Sequence, residues 1–163
     1  MNSNKIMKKI LLVSSFLVII AGFVLVGSGV WGIAFTYTNV ARENIMTPDD
    51  ASIPSVPVRG PFTLKAQADF IREHTLKMTD GKTFAEMPRQ IPKLDVEGKP
   101  ILGEDGKPAM TANTARDIWI TATTLITALN LGIFAYAFST IILVFGFFFI
   151  LTGITFYALG RKY

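Results

Sequence analysis

The chain contains no cysteine, and that absence excludes disulfide staples, thiolate metal sites, cysteine lipidation and thiol chemistry together. Histidine occurs once, at His74, so one chain can build neither a two-His-one-carboxylate iron site nor a His-rich zinc site. Charge is missing over long stretches: residues 10–41 and 118–160 hold no Asp, Glu, Lys or Arg, and all 12 acidic residues lie between Glu43 and Asp117. Apolar stretches without an ionisable group argue against proton relay, ion transport and voltage sensing. There is no Gly-x-Ser-x-Gly elbow and no phosphate loop. Asp49, Asp50, Glu104 and Asp105 lack the density of a calcium loop and read as turn residues. His74, with Asp69 and Glu73 nearby, reads as part of a solvated helix face or as a hydrogen-bonded structural histidine. No catalytic residue, cofactor or metal site is therefore expected.

What replaces charge is apolar length. Each uncharged stretch exceeds the ~20 residues with which an α-helix crosses ~30 Å of hydrocarbon, and residues 10–35 and 132–160 are expected to be transmembrane helices. Lys5, Lys8 and Lys9 precede the first and Arg161 and Lys162 follow the second. By the positive-inside rule, residues 1–9 and 161–163 are then cytoplasmic and residues 36–131 extracytoplasmic. The basic start fits a secretory signal, but the apolar run from Ile10 to Phe35 far exceeds the ~7–15 residues of a signal core, so an uncleaved anchor is expected. Between Arg42 and Asp117, 11 basic residues meet 12 acidic ones, and nothing in that balance suggests nucleic acid. An insert of roughly 75–80 residues is near the lower limit for independent folding and too small for a catalytic domain with a deep pocket.

Local signals divide the insert. Trp31 and Tyr37 suit the outer interface of the first span, and residues 38–43 suit a helical extension into water. Pro48, Pro54, Pro57 and Pro61 argue for an extended connector. Pro61 then opens a helix over 61–79 and Asp80-Gly81 closes it. Its Phe62, Ala66 and Phe70, beside Leu64, Ala68, Ile71, Thr75 and Met78, make a wide apolar face that needs cover. Thr83-Phe84-Ala85-Glu86 is a capping-box pattern that Pro88 stops. Residues 88–110 repeat weakly, Glu97-Gly98-Lys99-Pro100-Ile101 against Asp105-Gly106-Lys107-Pro108-Ala109, and predict a hairpin or successive turns in an exposed loop. Residues 115–131 predict an amphipathic helix with Ile118, Ala122, Leu125, Ile126 and Leu129 on one face, covering helix 61–79. A third span is not expected, because no turn chemistry exists near Ala137-Phe138.

Small residues are periodic in both spans. Gly132, Ser139, Gly146, Gly153 and Gly160 share one seven-residue phase, matched in the first span by Ser15, Gly22, Gly29 and Thr36, whereas Gly27 and Gly32 lie off it. Small residues on a heptad seam let helices approach closely. An antiparallel pair would align Ser15 with Gly153, Gly22 with Gly146, Gly29 with Ser139 and Thr36 with Gly132. The same seam would also serve a neighbouring subunit. The remaining faces of the second span carry Phe134, Phe138, Phe145, Phe147, Phe148, Phe149 and Phe156, which suit lipid or another membrane protein.

The run Val58-Arg59-Gly60-Pro61-Phe62-Thr63, then Gln67-Ala68-Asp69-Phe70-Ile71 and His74, then Thr79-Asp80-Gly81-Lys82-Thr83-Phe84-Ala85-Glu86-Met87, resembles a family of small bacterial two-span membrane proteins. Members of that family are often labelled as an aromatic ring-opening dioxygenase small subunit. Here Phe84 stands at a Tyr position and the segment from Gly98 to Pro108 looks inserted. The resemblance implies a recurring outer surface around Gln67, Asp69 and His74, without implying a reaction, since extradiol ring opening needs iron ligands that this sequence does not contain. The expected fold is mainly α: a membrane helical hairpin with a small α-rich extracytoplasmic domain between its two helices. The expected role is a non-catalytic accessory or structural subunit in the bacterial cytoplasmic membrane, contacting lipid and either another membrane protein or a second copy. An extracytoplasmic ligand-binding or sensing module is the alternative.

Overall fold

No proline precedes Pro48 and none follows Pro108, so both long apolar stretches are free of the residue that interrupts helices. In the computed structural model, which describes residues 3–162, each forms one unbroken helix. Element order is α1 (Ser3–Arg42), α2 (Pro61–Met78), a short 3₁₀ turn (Phe84–Glu86), β1 (Gln90–Pro92), β2 (Met110–Ala112) and α3 (Thr114–Lys162). Both α1 and α3 are long and apolar enough to cross a membrane. With 40 residues in α1 and 49 in α3, they extend ~60 Å and ~73 Å at 1.5 Å per residue.

Residues 115–131 and 132–160 are parts of one helix, with no interruption at Asn130, Leu131 or Gly132, and α1 continues beyond residues 10–35 at both ends, into the helical extension expected past Tyr37. Hydroxyl groups along these helices bond the carbonyl four residues back: Thr36 to Gly32, Thr38 to Ala34, Thr140 to Tyr136, Thr152 to Phe148 and Thr155 to Leu151. A helix can thereby carry threonine among apolar neighbours without an external partner.

The chain divides into two compact units, one of Met1–Met46, Pro57–Phe62 and Leu131–Tyr163, the other of Thr47–Val56 and Thr63–Asn130. In the first unit, α1 ends where Asn44 takes a positive φ of 51°, and the chain returns to pair Met46 with Pro57. The Val58 N–H donates to the Ile45 carbonyl at 2.9 Å, and Val58 is almost wholly buried. In the second unit, Thr47 and Val56 are joined by Thr47 N–H to Val56 C=O at 2.9 Å and Val56 N–H to Thr47 Oγ1 at 3.0 Å. The expected extended connector is therefore a folded-back loop: turn residues at Asp49 and Ser55 outweigh the prolines, and the Ser55 hydroxyl bonds the Asp49 carboxylate.

The second unit is built on α2 and the first part of α3. Leu64, Ala68 and Thr75 form the buried stripe of α2; Phe62 and Met78, expected on that face, are 79% and 54% exposed. Helix α2 closes with Asp80 and Gly81 at positive φ, and the Gly81 N–H donates to the Leu76 carbonyl at 2.8 Å, the bond that satisfies a C-terminal carbonyl. On the part of α3 up to Asn130 the buried residues are Trp119, Ala122 and Leu129, while Leu125 is 49% exposed. Asn113 caps α3 through Oδ1, which accepts from the Ala115 N–H at 3.1 Å.

Residues 88–110 are more ordered than a loop. Strand β1 pairs antiparallel with β2, Gln90 opposite Ala112 and Pro92 opposite Met110. Between them the weak repeat becomes a ring: Ile101 N–H donates to Lys93 C=O at 2.9 Å, Ala109 N–H to Ile101 C=O at 2.7 Å, and Lys93 N–H to Ala109 C=O at 2.7 Å. The bridges Leu94 with Pro100 and Leu102 with Pro108 repeat the pairing of Met110 with Pro92. Gly98 and Gly106 tip the two inner turns at φ of 81° and 75°, where a Cβ would be strained.

Candidate functional site

Heptad spacing keeps a small residue on the same side of a helix every second turn. Ser15, Gly22, Gly29 and Thr36 of α1 are all buried, as are Ser139, Gly146, Gly153 and Gly160 of α3; Gly132 is half-buried. A Cβ built on Gly146 would lie 2.7 Å from the Val26 nitrogen and 2.9 Å from the Gly22 carbonyl oxygen. One on Gly153 would lie 3.0 Å from the Ser15 carbonyl oxygen, and one on Gly22 2.8 Å from the Gly146 carbonyl oxygen. These contacts are with backbone, which cannot swing aside. Only glycine permits the helices to come this close, where dispersion and Cα–H···O contacts replace side-chain packing.

The contacts run in opposite chain directions, with one correction to the aligned partners. A Cβ on Gly29 would meet Leu143, not Ser139, and it is Gly32 that faces Ser139. The reason is geometric. Every Cα–Cβ bond tilts toward the N-terminus of its own helix, so in an antiparallel pair each position aims about one turn beyond the residue at its own level. Gly22 aims at Ile150, Gly146 at Val26 and Gly153 at Ile19 in the same sense. Gly32 thus joins the seam, and Gly27, with nothing within 4 Å, stays outside it.

The three candidates on α2, Gln67, Asp69 and His74, separate. Gln67 and Asp69 are two residues apart on α2, a spacing that does not share a face. The Asp69 carboxylate pairs with Lys65 at 2.5 Å. His74 is exposed and stacks on Phe70, ring centroids 5.7 Å apart. Gln67 Oε1 is buried without a hydrogen-bond partner among the described residues. The three therefore do not form one cluster. His74 instead borders a groove of about 410 Å³ with Ile71, Thr75, Met78, Asp117, Ile118, Thr121, Ala122 and Leu125. Among the described residues no three His, Cys, Asp or Glu side chains are grouped to hold a metal ion.

Two junctions had no signal in periodicity. The Trp119 indole N–H reaches the Lys82 carbonyl at 2.8 Å and Thr79 Oγ1 at 3.1 Å, locking α3 to the end of α2. One turn earlier, Arg116 donates to the carbonyls of Phe84 at 3.0 Å and Met87 at 2.5 Å, its guanidinium 3.7 Å over the Phe84 ring. The Phe84 ring is thus the face on which Arg116 rests.

Comparison with protein families, with curated proteins and with solved structures yields no match. The first unit holds a close helix seam, and the second is locked by Trp119 and Arg116.

Proposed function

We propose that this chain is a two-span integral protein of the bacterial cytoplasmic membrane, both termini cytoplasmic and residues 36–131 outside, acting as a non-catalytic accessory or structural subunit of a larger membrane assembly. The observation that carries the reading is the exposure of the long helices. In the most apolar 18-residue stretches of α1 and α3 only 11% and 17% of residues are buried, and Phe16, Phe23, Phe134, Phe138 and Phe148 are each more than half exposed. The core helix of a soluble protein would bury that surface; lipid or a membrane partner can cover it. Lengths of ~60 and ~73 Å exceed a ~30 Å hydrocarbon layer, so part of each helix stands outside it.

The absence of cysteine makes topology directly measurable. A Ser55→Cys variant in cells should react with an impermeant maleimide from outside, and a Lys162→Cys variant should not. Reversed labelling would overturn the orientation. For the assembly, the chain tagged after Tyr163 at native expression should recover a larger membrane protein stoichiometrically in mild detergent. A stable, functional monomer would sink that role.

A sensing role has one observation in its favour, the groove beside His74. Joint replacement of Gln67, Asp69 and His74 with Ala that spares the fold but abolishes a ligand response would support it, whereas loss of the fold would assign these residues to structure.

A further inference from the structure

Lys5 and Lys9 are one helical turn apart, as are Ile6 and Ile10, so each pair stacks on one face of α1, which Val13 and Ser14 continue. These six residues line a groove of about 570 Å³. Lys5 and Lys9 alternate along this face with Ile6 and Ile10, and the apolar row continues past the lysines to Val13; Ile6, Ile10 and Val13 are 40%, 56% and 52% exposed. From Lys5 to Val13 α1 rises ~12 Å, a span that accommodates a phosphate, a glycerol backbone and the first methylenes of an acyl chain.

The charge at this end of the first unit is unbalanced. A Cβ on Gly160 would lie 3.2 Å from Leu11 and Leu12, so Arg161 and Lys162, which follow it, add two cations near Lys8 and Lys9. The only acidic residue in this unit is Glu43, ~50 Å along α1 from Lys9. The five cationic side chains Lys5, Lys8, Lys9, Arg161 and Lys162 have no acidic side chain among them, which favours an anion from outside the chain. A soluble anion would satisfy the lysines and leave the apolar floor wet; an anionic lipid covers both.

We propose that this groove is a binding site for an anionic glycerophospholipid of the leaflet facing the termini, its phosphodiester held by Lys5 and Lys9 and an acyl chain laid along Ile6, Ile10 and Val13. The site rests on the membrane reading above. It gives the end of the helix pair a fixed lipid boundary where the lysine stems lie along apolar surface and their heads reach phosphate.

The test uses the full chain in nanodiscs of phosphatidylcholine and phosphatidylglycerol at 3:1, with lipids retained on the released protein counted by native mass spectrometry. Phosphatidylglycerol should be enriched over its bulk share. Lys5→Gln with Lys9→Gln should lower the bound phosphatidylglycerol-to-phosphatidylcholine ratio roughly 10- to 30-fold at low salt, from about five-fold per basic residue at an anionic surface. Val13→Trp, which fills the floor and keeps every charge, should also reduce it, as a diffuse charge effect would not. Far-ultraviolet circular dichroism checks that both variants remain helical. Carbonate extraction of the chain from vesicles of the same lipids separates the two readings: an inserted chain whose retained lipids match the bulk ratio overturns the lipid site alone, and a chain extracted by carbonate overturns the membrane reading and this site with it. Enrichment unchanged in both variants removes the assignment to this groove.

Discussion

The hydroxyl of Tyr136 donates a 2.6 Å hydrogen bond to the backbone carbonyl of Arg59, 77 positions earlier in the chain, while the Arg59 guanidinium donates to the hydroxyl of Tyr37 at 3.3 Å. One short segment is thereby tied to both long helices of its unit. Tyr136 is only 8% exposed, so its partner cannot be replaced freely by water. Tyr136→Phe keeps the ring and removes the bond, and should lower stability by about 1 kcal/mol, read as an earlier thermal transition in detergent. Tyr37→Phe, at a longer and exposed contact, should change it less.

Trp119 is the corresponding lock in the other unit. Its indole is buried, whereas Trp31 is 67% exposed, so the chain's two tryptophans report different places. Trp119→Phe would leave the Lys82 carbonyl without its indole donor, at a cost of about 1–3 kcal/mol. An unshifted thermal transition in Trp119→Phe would count against the lock.

Much of this architecture could be read from residue order, and the failures have physical causes. Helix signals at Pro61 and Asp80-Gly81 worked because caps are local chemistry. The heptad of small residues worked because burial repeats with the helix. Gly32 lies off the seven-residue phase and still faces Ser139, because a count of phase ignores the tilt of Cα–Cβ bonds. Trp119 was missed because periodicity weighs apolar stripes, and a tryptophan that bonds a carbonyl belongs to no stripe. The ring closed by Lys93, Ile101 and Ala109 left only a faint repeat in sequence, since backbone bonds place few demands on side-chain identity. Whether α3 runs straight through Asn130, Leu131 and Gly132 was not legible in the sequence, because polarity decides what surrounds a helix, and neither Asn130 nor Gly132 is enough to end one.

Glu86 gives a pH prediction. Its carboxylate accepts from the Thr83 N–H and hydroxyl, both at 2.7 Å. The backbone bond first, then the hydroxyl, lowers its pKa below the ordinary 4.5. A carboxyl with a lower pKa folded than unfolded binds protons more readily when unfolded. Its contribution is therefore fully present above the ordinary value and is lost as pH falls through the folded pKa. The Thr83 amide should keep its hydrogen-bonded NMR shift at neutral pH and lose it in acid along Glu86's titration. In Glu86→Gln that titration should be absent; a Thr83 amide that still titrates identically would refute the assignment.

The seam allows a sharper contrast, because two glycines of the same helix have opposite surroundings. At Gly22 the nearest atoms to an added Cβ include the Gly146 carbonyl oxygen at 2.8 Å, and at Gly27 there is open space. Both positions are helical and free of backbone strain, so helix propensity favours replacing either by ~1 kcal/mol. Gly27→Ala should therefore be neutral or slightly stabilising. Gly22→Ala must push backbone against backbone, and the helices have to part over neighbouring turns, so the loss should reach about 1–3 kcal/mol. Gly146→Leu together with Gly153→Leu, which place whole side chains against Val26, Gly22 and Ser15, should separate α1 from α3. Thermal unfolding in detergent ranks the variants. If Gly22→Ala and Gly27→Ala melt together, close approach does not hold the pair, and side chains flanking the seam, such as Ile19, Val26, Leu143 and Ile150, carry it instead.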